Sequence, residues 1–168
     1  GSSNLRPLSF KPFQDDLQKK LGMPVRVVND ANCFALSEAL HGAGKGYGMV
    51  LGIILGTGMG GGLVLDGKLW SGSQGIAGEW GHATVNPEGP ACYCGRRGCQ
   101  ELYLSGTGIQ RMYRERTGSD FGVQQIFEAS QEGSDADAVQ VMEIFLETFG
   151  QSLGNLVMSL DPDVTVIG

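Results

Sequence analysis

Apolar side chains recur along the chain with two different periods, and each change of period marks an element. Residues 13–21, FQDDLQKKL, put Phe13, Leu17 and Leu21 on one face of a helix, which Gly22 and Pro24 end. VRVV at 25–28 reads as a short strand, and ANCFALSEAL at 31–40 has helical composition. Asn29 and Asp30 therefore fall where a strand hands over to a helix N-terminus, a common place for chemistry. MVLGIIL at 49–55 is the continuous apolar run of a buried strand. GTGMGGG then turns the chain, and GLVLDGKLW reads as two strands joined at Asp66 and Gly67. GTGIQRMYRERTG, VQQIFEAS and the long DADAVQVMEIFLETFGQSLGNLVMSL are helical, and DVTVIG at 163–168 is a final strand. Alternation of strand and helix predicts an α/β fold.

Composition narrows the picture. With 168 residues, 41% of them hydrophobic, the chain can bury one core, or a core with a smaller satellite. A formal charge of -6 and a pI near 4.8 argue against a nucleic-acid groove or an anionic membrane surface as partner. No apolar run approaches the roughly 20 residues of a membrane span, and GSSNLRPLSF lacks the apolar core of a secretory signal. A cytoplasmic protein is expected. The 28 glycines gather between Gly42 and Gly108 and mark tight turns and close backbone approaches. VTVIG stops where an α/β strand normally delivers a loop to a ligand, and the chain starts without an opening strand. Either the chain is a piece of a longer protein, which is the expectation, or both ends are native and short.

The chemistry gathers in GEWGHATVNPEGPACYCGRRGCQE, residues 78–101. His82 is followed by Cys92, Cys94 and Cys99, with Gly95 and Gly98 letting the loop fold back. Three thiolates and one imidazole complete a tetrahedral zinc site of the closed, structural type. A disulfide between Cys92 and Cys99 would leave Cys94 unpaired and suits an oxidising compartment. Three inert core cysteines are the other alternative, although a loop of Pro, Gly and Arg offers little core to enter. Cys33 reads as a small buried hydrophobe within its helix.

LGTGMGGG at 55–62 is the second motif. Successive N–H groups in a glycine-rich turn form an anion-binding concavity to which Thr57 adds a hydroxyl, and a plain hairpin turn is the equal rival. Three carboxylates stand out beside it. Asp30 lies at the helix start, Glu79 three residues before the histidine, and Glu101 two after the last metal cysteine. A zinc ion would bring Glu79 and Glu101 near each other. Each alone could be a cap or a solvated side chain, and for Asp30 the cap reading is a serious rival.

NDAN at 29–32, GTGMGGG at 56–62, GEWGH at 78–82, CYCGRRGCQE at 92–101 and SGTG at 105–108 resemble, in order and spacing, the ROK family of bacterial sugar kinases and sugar-responsive repressors. The resemblance runs from about Asn4 to Gly168, and the combined ExGH and CxCGxxGCxE pattern is highly specific. It implies a partial actin-like, hexokinase-type (ribonuclease H-like) fold with a zinc-binding loop, usually dimeric. Residues 1–168 would be the middle and C-terminal part of such a kinase, without its N-terminal DxGGT phosphate loop and its C-terminal glycine loop. The implied activity is ATP-dependent phosphorylation of a hexose, with Mg²⁺ accompanying ATP; the fragment alone is expected to turn over little.

Carried over residue by residue, Asp30 corresponds to the general base that takes the proton of the attacked sugar hydroxyl. Asn29, Asp30, Glu79, His82 and Glu101 correspond to sugar ligands. Gly56, Thr57, Gly58 and Gly60 correspond to contacts with the nucleotide phosphates, and His82, Cys92, Cys94 and Cys99 to the zinc ligands. One ring nitrogen of His82 would hold the metal while the other faces the sugar. Fructose, glucose, mannose and N-acetylglucosamine all fit such a set, with a slight preference for the fructokinase and N-acetylglucosamine kinase members. The alternative is the sugar-sensing module of a repressor. Asp30 and the full glycine turn favour the kinase, because sensing a sugar needs neither a base nor a phosphate cradle.

Overall fold

The structure, a computed structural model, describes residues 12–168. It divides into two compact units, Gly1–Asp30 and Ala31–Gly168.

In the first unit α1, Phe13–Leu21, forms as its periodicity predicts, with Asp15 and Asp16 in its first turn and Lys19 and Lys20 in its last, each sign complementing the helix dipole. Residues 25–28 do not form the expected strand. Instead of entering a ladder, Val25 and Val27 donate their N–H groups to Gln18 Oε1 and Gln14 Oε1, both at 3.0 Å. β-branched composition makes an extended segment here, but a strand also requires a partner strand to pair with.

In the second unit a four-stranded sheet has the order β3-β2-β1-β4, with β1 Met49–Leu55, β2 Met59–Leu65, β3 Lys68–Trp70 and β4 Val164–Ile167. β1 pairs antiparallel with β2 and parallel with β4. The β2–β3 hairpin turns at Asp66 (φ 48°) and Gly67 (φ 71°), as the Asp-Gly pair predicts. β1 is apolar throughout because both of its faces are covered. One face carries Val50 and Val64 against Ala35 and Ala39 of α2, Asp30–His41. The other carries Leu51, Ile53 and Leu63 against Phe149, Leu153, Leu156 and Leu160 of the long helix α6, Ala136–Leu160.

Glycines set how closely α2 approaches. A Cβ on Gly52 would lie 2.6 Å from the Ala35 Cβ, and one on Gly60 would lie 2.8 Å from the Ala31 Cβ. The glycine-rich stretch is thus divided: residues 56–58 form the turn, whereas Gly60, Gly61 and Gly62 stand in β2 opposite Ile54, Ile53 and Gly52. The same stripe explains Cys33. Ala31, Ala35 and Ala39, four residues apart, face the sheet, and Cys33 lies off that stripe and is exposed, so the expectation of a buried cysteine is corrected.

A satellite of helices packs beside the sheet. It comprises α4 (Gly106–Thr117), α5 (Val123–Glu132) and α6, joined around buried Ile109, Met112, Tyr113, Ile126 and Val141. Two short elements precede it that periodicity does not reveal, a 3₁₀ turn at Trp80–His82 and the one-turn helix α3, Glu101–Leu104. Both are too short to carry a repeat of 3.6.

Candidate functional site

The loop between His82 and Glu101 folds back as its glycines predict. Cys92 N–H donates to Arg96 O, Gly98 N–H to Pro90 O, and Gln100 N–H to Ala83 O, at 2.8, 2.8 and 2.9 Å. Gly98 takes a left-handed φ of 56°, and a side chain there would run into the Asn86 carbonyl oxygen. The folding brings all four expected ligands together: a ring nitrogen of His82 and the sulfurs of Cys92, Cys94 and Cys99 lie within 4.8 Å of one another.

Their spacing bears on the disulfide and metal alternatives. Cys94 Sγ and Cys99 Sγ are 3.6 Å apart, and His82 Nδ1 is 3.7 Å from Cys92 Sγ. Two sulfurs on a tetrahedral zinc, at bonds of about 2.3 Å, stand roughly 3.8 Å apart. A disulfide needs about 2.05 Å, and all four cysteines are free thiols. The donor set therefore fits a closed site for a thiophilic divalent cation. The thiols already differ. Burial, then the bonds and charges of Cys94 and Cys92, push the Cys99 thiol up to about 12. Burial also raises Cys94, but hydrogen bonds from the Arg96 N–H and the Cys92 and Cys99 thiols, with the Arg96 charge, bring it below its ordinary value. Adjacent thiolates repel unless a cation lies between them.

The second nitrogen of His82 is engaged. Nε2 lies 3.0 Å from Tyr93 Oη, and the two rings meet edge to face with centroids 5.1 Å apart. A sugar contact through Nε2 therefore requires the exposed Tyr93 to move. Glu79 is exposed and precedes the 3₁₀ turn, where its carbonyl accepts the His82 N–H at 3.2 Å. Asn29 and Asp30 belong to the first unit, and Asp30 is the first residue of α2, at the positive end of the helix dipole.

Glu101 is half-buried and joins the glycine turn: its Oε2 accepts the Met59 N–H at 3.0 Å. Thr57 and Gly58 donate their N–H groups to no acceptor among the described residues. The turn opens on a cavity of about 690 Å³ whose polar rim is Gly56, Thr57, Gly106 and Thr107 and whose wall includes Ile109, Val123, Phe127 and Phe145. The apolar wall and Thr107 are the site residues that the sequence reading missed. SGTG at 105–108 was the available signal, since Ser105 caps α4 by accepting the Gly108 N–H at 3.0 Å and so fixes where Thr107 points.

A family model described as ROK family matches residues 2–168. The chain belongs to the ROK family. The N-acetyl-D-glucosamine kinase of Pasteurella multocida (strain Pm70) is 44% identical over 176 residues, covering 98% of this chain and 58% of that protein. This ROK chain thus spans just under three-fifths of that relative's length. A ROK hexokinase from Thermus thermophilus has a TM-score of 0.85 at 36% identity, over 94% of this chain and 54% of its own. A ROK glucokinase from Streptomyces griseus, solved with glucose and AMPPNP, has a TM-score of 0.82 at 35% identity, over 94% and 56%. The expected hexokinase-type α/β architecture is the fold of these ROK structures. No helix among the described residues is long and apolar enough to cross a membrane.

Proposed function

We propose that this ROK chain is the sugar-binding and part of the nucleotide-binding portion of an ATP-dependent kinase for a hexose or N-acetylhexosamine. The observation that carries the reading is the 56–58 turn, exposed at Gly56 and Thr57, opening onto a cavity of about 690 Å³ with a polar rim and an apolar wall. That combination suits a nucleotide: N–H groups and the Thr57 hydroxyl for phosphate oxygens, and Ile109, Val123 and Phe127 for an aromatic base. A sugar sensor has no use for it. The relative at 44% identity is named for N-acetyl-D-glucosamine, and the glucokinase structure holds glucose and an ATP analogue, which supports this substrate class.

In this mechanism the Asp30 carboxylate accepts the proton of the attacking sugar hydroxyl as its oxygen bonds to the γ-phosphorus and ADP leaves. Asn29, Glu79, His82 and Glu101 hold the other hydroxyls; the carboxylates act as acceptors for sugar O–H donors. Mg²⁺ bound with ATP would supply charge neutralisation at the phosphates. Zinc held by His82 Nδ1, Cys92, Cys94 and Cys99 would supply orientation, fixing the imidazole and the two ends of the loop that carry Glu79 and Glu101.

A coupled assay over fructose, glucose, mannose, N-acetylglucosamine and N-acetylgalactosamine with the intact protein containing this chain tests the reading. With the preferred sugar, Asp30→Asn is expected to lower kcat by at least about a hundredfold while sugar binding persists. An unchanged kcat would remove Asp30 as the base.

A further inference from the structure

The 56–58 turn makes one hydrogen bond of its own, Gly56 N–H to Gly58 O at 3.0 Å, and is not held by that alone. Three hydrogen bonds from the segment that follows the metal loop fix it. Gly106 N–H donates to Gly56 O at 2.8 Å, Thr107 Oγ1–H donates to Thr57 O at 2.8 Å, and Glu101 Oε2 accepts the Met59 N–H at 3.0 Å. The first is a backbone contact, whereas the other two depend on side chains. They hold the turn at Thr57 and just past it at Met59, and a Cβ on Gly58 would lie 2.8 Å from Glu101 Oε2, so the absence of a side chain at position 58 gives the carboxylate room to reach Met59. Thr107 is itself directed: Ser105, buried at 1% exposure, closes its hydroxyl on Glu101 O at 2.6 Å and accepts the Gly108 N–H, which sets the first turn of α4.

We propose that Glu101 and Thr107 are positioning residues for the nucleotide phosphates, acting through the 56–58 turn, and that Glu101 ties the turn to the metal loop. The inference rests on the kinase reading above and assigns Glu101 a second task beyond sugar binding. Oε2 is spent on Met59, which leaves Oε1 for a sugar hydroxyl. A carboxylate that bridges a bound sugar and the phosphate turn couples the two substrates, because each bond restrains the same rotamer. Cys99 stands two residues before Glu101, so closing the thiols on a cation fixes the segment from which Glu101 reaches the turn.

Two pairs of variants test this in the intact protein. Thr107→Val keeps the shape and removes the hydroxyl, and it is expected to raise the nucleotide KM about tenfold, the usual effect of one such bond. Sugar Kd should stay within about twofold, and Thr107→Ser should restore the nucleotide KM. An unchanged nucleotide KM in Thr107→Val, or no rescue by serine, overturns the assignment of Thr107. For Glu101 the readout is amide exchange at Met59, which needs no catalysis. Glu101→Ala should speed it about tenfold, while Glu101→Gln, which keeps an acceptor oxygen, should not. Equal Met59 exchange in wild type and Glu101→Ala overturns the clamp. Absence of phosphorylation across the whole sugar panel would defeat the kinase reading instead, and the Met59 exchange rates would still decide whether Glu101 holds the turn.

Discussion

Chelating the metal from the intact protein is expected to release residues 83–100 while the sheet stays folded. Among residues 83–99 the buried apolar side chains are the thiols of Cys92 and Cys99 themselves, so the loop has no apolar core of its own. The four ligands stand ten, two and five residues apart along the chain. Gathering them at one point removes loop entropy worth about 3, 1 and 2 kcal/mol, together about 6 kcal/mol, if each segment is treated as a cross-linked loop. Against this, the five backbone bonds that close the loop supply only about 1 kcal/mol each; they are those of Val85, Asn86, Cys92, Gly98 and Gln100. Without the cation the entropy exceeds the bonds and the loop opens. Amide exchange before and after chelation measures the difference. The Cys92, Gly98 and Gln100 amides should lose up to about four powers of ten of protection. Those of Leu51 and Ile53 in β1 should keep theirs, and added zinc should reverse the change. Protein shown by elemental analysis to be metal-free, yet with unchanged exchange at Gly98, would refute the reasoning.

Gly52→Ala should destabilise the protein by about 1–3 kcal/mol, because the new methyl meets Ala35 at 2.6 Å and α2 must lift; thermal denaturation measures it, and an unshifted Tm would contradict the glycine seat. Ile126→Ala empties a fully buried site between α4, α5 and α6 and should cost about 2–5 kcal/mol in denaturant unfolding. Asp135 caps α6 by accepting the Asp137 and Ala138 N–H groups and takes the Tyr113 O–H at 2.6 Å; that hydroxyl first, then the Ala138 N–H, holds its carboxyl below the ordinary range. Its contribution is therefore complete above the unfolded value of about 3.9 and lost as pH falls through the lower folded value. Asp135→Ala should lower Tm at neutral pH, and the gap from wild type should close in strong acid.

Local order was legible where one physical cause dominated. The Asp-Gly hairpin and the apolar run of β1 each have a single explanation, and both formed as read. Readings failed where two causes give the same letters. Val-Arg-Val-Val has the composition of a strand, but the N–H groups of Val25 and Val27 found glutamine side chains on α1, and nothing in those four letters encodes a ladder partner. Glycine is the sharper case. GTGMGGG reads as one motif, yet its first three residues turn the chain and its last three let Ala31, Ala35 and Trp80 approach β2. The signal that separates them is in the neighbouring helix: alanines four apart predict a close approach, and close approach requires glycine opposite. The same stripe places Cys33 outward.

That His82, Cys92, Cys94 and Cys99 come together was readable because the spacing is short; four donors within twenty residues leave few ways to close. Glu101 was readable only in part. Its place two residues after Cys99 marked it as held by the loop, but not what it reaches, since Met59 is 42 residues away in sequence. A carboxylate beside a glycine turn that lacks a side chain at position 58 reaches a backbone N–H with one of its oxygens, and this contact joins Glu101 to the turn. If zinc orders the loop, it also orders the 56–58 turn, so on the proposed reading loss of the metal should weaken nucleotide binding as well as sugar binding. A structural ion that affected only the sugar side would show that Glu101 and the turn move independently.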